Sequence, residues 1–336
     1  MSDWIWQPNR EWIERTNVRQ FMRKLGFTDR EKFLRYSRER LEEFWDHMVR
    51  ETGIEWFAPY TKVLDTSRGV EWAQWFTGGK LNIAWNTLDR HAQSARAVKP
   101  AVLWEAEDGT TRTVTFAELF EDVNRLANGL RELGLKQGDR VALCMPMVPE
   151  VVTILYACFK LGLVVVPIFA GFGAGAIATR LQDSGARVLF TADVLKRRGK
   201  QIPLLEKVEE AAAKCPSMER IVVWPYGSTS LSLCKNQSAA CETLPLDSEA
   251  PALLLYTSGT TGKPKGTVHT HAGCLAQMSK EIYLAFDHKE EDRFFWLSDI
   301  GWMMGRGPSS ATTTSAERSF SMTAPPITRR RTACGR

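Results

Sequence analysis

Residues 256–266 combine glycines, hydroxyl side chains and lysines in a pattern suited to binding phosphate. Their sequence is Tyr256-Thr257-Ser258-Gly259-Thr260-Thr261-Gly262-Lys263-Pro264-Lys265-Gly266, and it follows an apolar run at 252–255 that predicts a buried strand. Glycines let the backbone approach an anion, whose oxygens the hydroxyls, backbone N–H groups and lysines can surround. A plain turn is the alternative, but plain turns rarely combine so many hydroxyls with two lysines. A Walker A loop is excluded, because Pro264 stands where that motif needs Ser or Thr.

This segment resembles the phosphate loop of the adenylate-forming superfamily, which contains the AMP-forming acyl-CoA synthetases and the luciferases. The resemblance implies that a carboxylate attacks the α-phosphate of ATP, giving an acyl-adenylate and pyrophosphate, and that coenzyme A then displaces AMP. It implies ATP, coenzyme A and Mg²⁺ as small-molecule partners and Lys265 as the catalytic residue. The phosphate-binding positions implied are Thr257, Ser258, Gly259, Thr260, Thr261, Gly262, Lys263 and Gly266.

A second phrase, Trp296-Leu297-Ser298-Asp299-Ile300-Gly301-Trp302, is similar to the next motif of the same superfamily. The resemblance implies that Asp299, Gly301 and Trp302 lie beside the acyl and adenylate pocket. From the residues alone, a strand-to-turn junction with two core tryptophans is an equal alternative. Met303 and Met304 follow where acetyl-CoA synthetases often have threonine, so the carboxylic acid remains open.

A cluster of cations, Arg197, Arg198 and Lys200, follows a predicted strand at 188–191. Its position resembles the basic cluster that grips the 3′-phosphate of coenzyme A in acetyl-CoA synthetases, and a phosphate group prefers such side chains. Without that resemblance, a solvated helix end is the simpler interpretation of the charge run.

A possible dinucleotide-binding motif competes with this interpretation. Residues 173–178 fit G-x-G-x-x-A between a predicted strand and a predicted helix, and Asp193 lies at about the offset of the acidic residue in such folds. The fit is weak because Gly171 and Gly173 crowd the turn. The same stretch also resembles the second subdomain of the synthetases, so a NAD-binding oxidoreductase is the less favoured alternative.

The order of elements predicts an α/β fold. Strands are predicted at 101–105, 111–115, 140–145, 164–169 and 188–191, and helices at 116–133, 148–161 and 175–184, with Thr115 as an N-cap. Strands that alternate with helices in this way build parallel sheets flanked by helices. Together with the resemblance, this predicts an incomplete N-terminal domain of an adenylate-forming synthetase over residues 96–305.

Residues 1–95 form a predicted helical segment of the acetyl-CoA synthetase type. An apolar stripe over 31–52 predicts a helix, and its simplest role is core packing. The phrase at 72–91 resembles the N-terminal region of acetyl-CoA synthetases, and on physical grounds alone it is a glycine turn that leads into a helix.

Composition narrows the class of protein. No apolar run approaches the length that spans a membrane. Seven cysteines are scattered without a metal-ligand spacing, which favours reduced thiols, a cytoplasmic location and no metal site built from them.

His269 and His271 lack further metal ligands nearby, so we expect them to support the phosphate loop. The net charge of +5 comes entirely from six arginines and one glutamate after Gly305, which argues against a nucleic-acid partner.

Residues 306–336 differ in composition from the rest of the chain. The resemblance covers about Trp4 to Gly305, and the family's adenine- and magnesium-binding phrase, ribose-binding aspartate, hinge and C-terminal domain do not follow. The tail mixes Arg, Ser, Thr, Pro and Ala without an apolar period, which predicts disorder. Its codons, shifted by one nucleotide, can encode Trp-Ala-Ile-Ile from 306–310 and an apolar strand from 320–328. We therefore expect a frameshift near Arg306, visible as a gained or lost nucleotide relative to close relatives.

Three functions remain open at this point. The favoured one is an AMP-forming ligase that activates a short-chain carboxylic acid, here truncated. A non-catalytic fragment that binds coenzyme A or a partner is the second, and the oxidoreductase is the third. Neither the acid nor the oligomeric state follows from the residues.

We expect the 336-residue chain by itself to form no acyl-adenylate from acetate, propionate, butyrate or acetoacetate. The family's ribose aspartate and adenylation lysine are missing from it, and loss of each such group removes several kcal/mol of transition-state stabilisation. The measurement is ATP–pyrophosphate exchange. Exchange that disappears in Lys265→Ala would contradict the expectation.

Overall fold

The structure, a computed structural model, describes residues 6–257, 262–290, 292–295 and 298–301, together with the backbone of residues 320–323. Within these ranges no helix is both long and apolar enough to cross a membrane.

Four helices open the described chain: α1 (Arg10–Arg15), α2 (Asn17–Lys24), α3 (Arg30–Glu39) and α4 (Leu41–Glu51). The single helix expected over 31–52 is wrong, because the backbone leaves helical geometry at Arg40, with φ −121° and ψ 57°. This break lets α3 fold back on α4, so that Phe33 and Phe44 meet with ring centroids 6.3 Å apart. Phe21 of α2 completes the cluster, with its ring perpendicular to that of Phe33. The stabilisation gained by burying these aromatic rings is thus larger than the stabilisation that one continuous helix would give.

Short elements join these helices to the main domain: β1 (Lys62–Asp65), β2 (Gln74–Thr77), β3 (Lys80–Leu81), a π-helical turn at Trp85–Asp89 and α5 (Arg90–Ala92). Asn82 is buried and anchors the segment at 72–91 to the main domain. Its amide donates to the carbonyls of Phe159 (2.8 Å) and Leu244 (2.9 Å), which ties the segment to two distant parts of the chain.

The remaining elements include all the strands and helices predicted between residues 101 and 191 and the strand before the phosphate loop, together with further elements after residue 193 that were not predicted. They are β4 (Pro100–Glu105), β5 (Thr111–Thr115), α6 (Phe116–Glu132), β6 (Arg140–Cys144), α7 (Glu150–Lys160), β7 (Val164–Pro167), α8 (Ala174–Ser184), β8 (Val188–Thr191), β9 (Val194–Arg197), β10 (Lys200–Pro203), α9 (Leu205–Ala212), β11 (Arg220–Val223), β12 (Leu246–Asp247), β13 (Pro251–Thr257), β14 (Lys265–Thr270), α10 (His271–Lys280), β15 (Phe294–Phe295) and β16 (Phe320–Thr323). Thr115 caps α6 as predicted, within a full capping box with Glu118.

A six-stranded sheet forms the centre of the domain, in the order β11-β8-β6-β7-β13-β14. The first five strands are parallel and β14 is antiparallel to β13, which confirms the α/β prediction. Parallel crossovers are right-handed, so α7, which leads from β6 to β7, and α8, which leads back to β8, lie on opposite faces. In agreement, α7 packs against α6 and α8 packs against α9.

A second sheet has the order β15-β16-β4-β5. Its strand β16 lies within the tail for which disorder was expected, and its backbone pairs in parallel with both β15 and β4. For these four residues the structure therefore differs from the expectation. The rest of 306–336 lies outside the described residues.

A buried ion pair links α7 to the N-terminal segment. The Lys160 ammonium donates to Asp89 Oδ2 and to Thr243 Oγ1, both at 2.7 Å, and the Thr243 hydroxyl also donates to Asp89. The side chains of Lys160 and Asp89 are only 1% and 2% exposed. Because both charges have left water, each depends on the other to offset its desolvation.

Lys160→Met is expected to lower the free energy of unfolding by about 3–5 kcal/mol, because it leaves the Asp89 carboxylate buried without its cation. Lys214→Met is the matched control, since Lys214, just after the end of α9, forms an exposed ion pair with Glu210. That control should change stability by less than about 0.5 kcal/mol. Urea unfolding measures both, and equal effects would contradict the role of the buried pair.

Candidate active site

The predicted phosphate loop connects two paired strands. Thr257 at the end of β13 lies opposite Lys265 at the start of β14, and Tyr256 lies opposite Gly266. Gly262 has φ +81°, a conformation that favours glycine. Lys263 and Lys265 are exposed, and neither has an ion-pair partner within the described part of the chain. Four residues predicted to bind phosphate, Ser258, Gly259, Thr260 and Thr261, lie outside the described residues.

The end of β13 is fastened to α8 by side chains. The Tyr256 hydroxyl donates to Asp183 Oδ2 at 2.6 Å. The Arg180 guanidinium lies 4.3 Å from the Phe172 ring centroid and 5.7 Å from that of Tyr256, which places the cation over both rings. Burial and the nearby Asp183 carboxylate raise the pKa of Tyr256, so this hydroxyl stays a donor. Sequence analysis missed this support, since it joins residues more than 70 positions apart.

Asp299 and Gly301 lie at the carboxyl end of β7. Asp299 Oδ1 accepts a hydrogen bond from the Gly301 N–H at 2.8 Å. A Cβ atom on residue 301 would stand 2.4 Å from the Phe169 nitrogen, so glycine is required for this close approach of two backbones. Trp302, predicted to line the same pocket, lies outside the described residues.

The environment of Asp299 stabilises its protonated form more than water stabilises that of an ordinary aspartate. Burial raises the pKa of Asp299 to about 6, although the Gly301 N–H and the positive charge of Arg197 both act in the opposite direction.

The basic cluster lies on a β-hairpin, and the alternative of a helix end is wrong. Strands β9 and β10 pair with each other, with Arg197 opposite Lys200. Arg198 and Gly199 form the turn with φ +56° and +67°, values typical of a two-residue type I′ turn. All of residues 196–203 are exposed. Among the described residues, none of the cluster's three cations has an ion-pair partner.

The carboxyl edge of the sheet brings these parts into one row. The hairpin of β9 and β10 that carries the basic cluster, called here the basic hairpin, follows β8. The turn at Asp299 and Gly301 lies against the end of β7. The predicted phosphate loop with its two flanking strands, called here the phosphate hairpin, extends from β13. The connections that follow β6 and β7 pass to opposite faces of the sheet. This opens a crevice between the two strand ends, the place where open α/β sheets bind their ligands.

Comparisons with known proteins agree with this arrangement. The sequence model described as AMP-binding enzyme matches residues 88–326, which is more than half of the chain. The chain belongs to the AMP-binding enzyme family. The model described as the acetyl-coenzyme A synthetase N-terminus matches residues 30–87 in addition.

Two named synthetases and one solved structure are similar to most of this chain. An acetyl-coenzyme A synthetase of Methanothrix soehngenii is 39% identical over 90% of the chain and 47% of its own length. A 3-hydroxypropionyl-coenzyme A synthetase of Sulfurisphaera tokodaii is 39% identical over 80% of the chain and 42% of its own length. The solved acetoacetyl-CoA synthetase from Streptomyces lividans has a TM-score of 0.86 and 30% identity, covering 95% of this chain and 51% of that one. The chain thus spans about half the length of the relatives it matches.

Membership of this family argues against the NAD-binding oxidoreductase. The structure also shows that residues 173–178 and Asp193 lack the features of a dinucleotide site. Asp193, the supposed ribose ligand, already accepts the backbone N–H groups of Val194 (2.9 Å) and Tyr226 (2.7 Å). Gly173 and Gly175 have open space where a Cβ would stand, so no close packing requires glycine there.

The two histidines after the phosphate hairpin differ in their surroundings. His269 lies in β14 opposite Leu253. His271 begins α10 and is fully buried, and its Nδ1 accepts the Ile83 N–H at 3.2 Å. Burial lowers the pKa of His271 to about 3, so the ring stays neutral and connects α10 to the N-terminal segment.

Asp299→Asn is expected to change how stability depends on pH. The folded-state pKa of about 6 lies above the value near 4 of an unfolded aspartate, so the native state binds more protons between these values. The free energy of unfolding of the wild type should therefore fall, relative to the variant, as pH rises from about 4 to about 6.

Urea unfolding between these pH values measures the difference. Asp65→Asn is the control of opposite sign, since the Ser67 backbone N–H and Lys62 lower the pKa of Asp65. That variant should lose stability relative to the wild type as pH rises toward about 4 from below, so the unfolding series for this control extends below pH 4. Parallel pH profiles for wild type and Asp299→Asn would show that the carboxyl group is not perturbed.

Proposed function

We propose that the chain forms the N-terminal part of an AMP-forming acid–CoA ligase. The reaction joins a carboxylate to AMP with release of pyrophosphate, and the thiol of coenzyme A then displaces AMP. Support comes from the family and from one structural observation: the phosphate hairpin, the Asp299–Gly301 turn and the basic hairpin occur in a row along the carboxyl edge of one sheet.

The phosphate hairpin would hold the β and γ phosphates of ATP. Thr257, Gly262, Lys263 and Gly266 frame the loop, and Lys265 would place its ammonium beside the phosphates as the catalytic cation. Little covalent chemistry falls to such side chains, so positioning and charge neutralisation carry the rate. The fastening of Tyr256 to Asp183 serves this role, because it fixes the strand from which the loop starts.

The turn at Asp299 and Gly301 would form the floor of the acyl and adenylate pocket. With its pKa raised to about 6, Asp299 is protonated more often than an ordinary aspartate at the same pH, and the protonated form repels an incoming carboxylate less than the ionised form does. The acid itself stays open within the short-chain class, since similar relatives act, by their names, on acetate, 3-hydroxypropionate and acetoacetate.

Mg²⁺ belongs to this proposal only through the family. Among the described residues, no three acidic, histidine or cysteine side chains converge into a metal-binding group. The described part of the chain therefore offers no ligand set for the ion.

Binding of coenzyme A without catalysis is the second candidate. It is favoured by the basic hairpin, whose two strands and turn are complete among the described residues. Arg197, Arg198 and Lys200 present positive charge that forms no ion pair with the described residues, which suits the 3′-phosphate of coenzyme A.

Isothermal titration of the chain with coenzyme A and dephospho-coenzyme A tests the role of the hairpin. We expect tighter binding of coenzyme A, and a loss of about tenfold in that preference for Arg197→Ala or Lys200→Ala, since each removes one charge-assisted contact to the 3′-phosphate. Lys32→Ala, on exposed α3, is the control and should leave the preference unchanged. Equal affinity of the wild type for both ligands would contradict this part of the proposal.

A further inference from the structure

The basic hairpin needs support from outside its own strands. Strands β9 and β10 form a separate two-stranded sheet that pairs with no other described strand. An isolated two-stranded hairpin is marginally stable in water. The three cations can recognise a phosphate group with constant geometry only if other contacts fix the direction of the hairpin.

Asp193 fixes the base of the hairpin. Its carboxylate accepts the N–H groups of Val194 and Tyr226, and its carbonyl accepts those of Leu204 (3.0 Å) and Leu205 (3.2 Å). Both chain ends of the hairpin and the loop after β11 therefore meet at one residue. These bonds hold the base but leave the strands free to tilt about it.

The aromatic ring of Tyr226 supports the hairpin farther from its base. The Lys196 ammonium lies 4.9 Å from the ring centroid, a distance at which a cation is attracted to the face of the ring. Adjacent side chains of a strand point to opposite faces, so Arg197 lies on the face of the hairpin opposite the one on which Lys196 meets Tyr226. The ring thus supports the face opposite the one that would meet the ligand.

The space around this contact makes the support necessary. A cavity of about 270 Å³ lies beneath the hairpin, lined among others by Trp104, Asp108, Lys196 and Tyr226. At the tip, the Gly199 N–H reaches Glu107 Oε2 only at a long 3.3 Å. With a cavity below and a weak bond at the tip, loss of the ring would leave room for the hairpin to move.

We infer that Tyr226 is a positioning residue for recognition of the coenzyme A 3′-phosphate, acting through Lys196 on the orientation of the basic hairpin. This inference rests on the proposed function. It assigns Tyr226 no contact with the ligand, and it predicts an effect on the 3′-phosphate alone.

The test compares Tyr226→Leu with Tyr226→Phe in titrations with coenzyme A and dephospho-coenzyme A. Tyr226→Leu removes the aromatic face and should reduce the preference for coenzyme A by about fivefold, the size of one cation–π contact. Tyr226→Phe keeps the face and should retain the wild-type preference. In a Lys196→Met background, Tyr226→Leu should have no further effect, because the contact is already absent.

Each outcome decides the inference. A wild-type preference that persists in Tyr226→Leu overturns it, and so does an equal loss of affinity for both ligands, which marks a merely structural role. If Tyr226→Leu does not fold, Lys196→Met alone must reduce the preference by a similar factor, or the inference fails. A wild type without any preference overturns the proposed coenzyme A site itself, and the inference with it.

Discussion

The crevice between β6 and β7 is the constraint on which the rest of the structure depends. When the connections that follow two neighbouring parallel strands pass to opposite faces of the sheet, neither connection covers the carboxyl edge between those strands. That edge therefore stays open. Here α7 and α8 leave to opposite faces, and the turn at Asp299 settles at this edge. The basic hairpin and the phosphate hairpin are the extensions of β8 and β13 on either side of it.

Much of this arrangement could be predicted, because its signals are local. The Thr115 capping box, the apolar strands and the glycine-rich loop each depend on a few consecutive residues. The break at Arg40 could not be predicted, since the apolar stripe continues through it and the packing of Phe33 on Phe44 decides the outcome.

The same limit applies to the site. Its residues were recognised by type, but their supports join distant parts of the chain: Tyr256 with Asp183, Asp193 with Tyr226, and Gly301 with Phe169. The secondary structure of the basic cluster could not be read from its residues, because a charge run suits a helix end as well as a hairpin. The turn residues Arg198 and Gly199, both with positive φ, carried the missing signal.

The contact of Gly301 with the backbone of Phe169 limits how such a pocket can diversify. Where two main chains touch, there is no side chain to lengthen, shorten or recharge, and any larger residue at position 301 would have to displace the backbone that follows β7. Under the proposed function, a change of acid preference would therefore have to arise at positions that line the pocket with side chains, where a substitution displaces only another side chain.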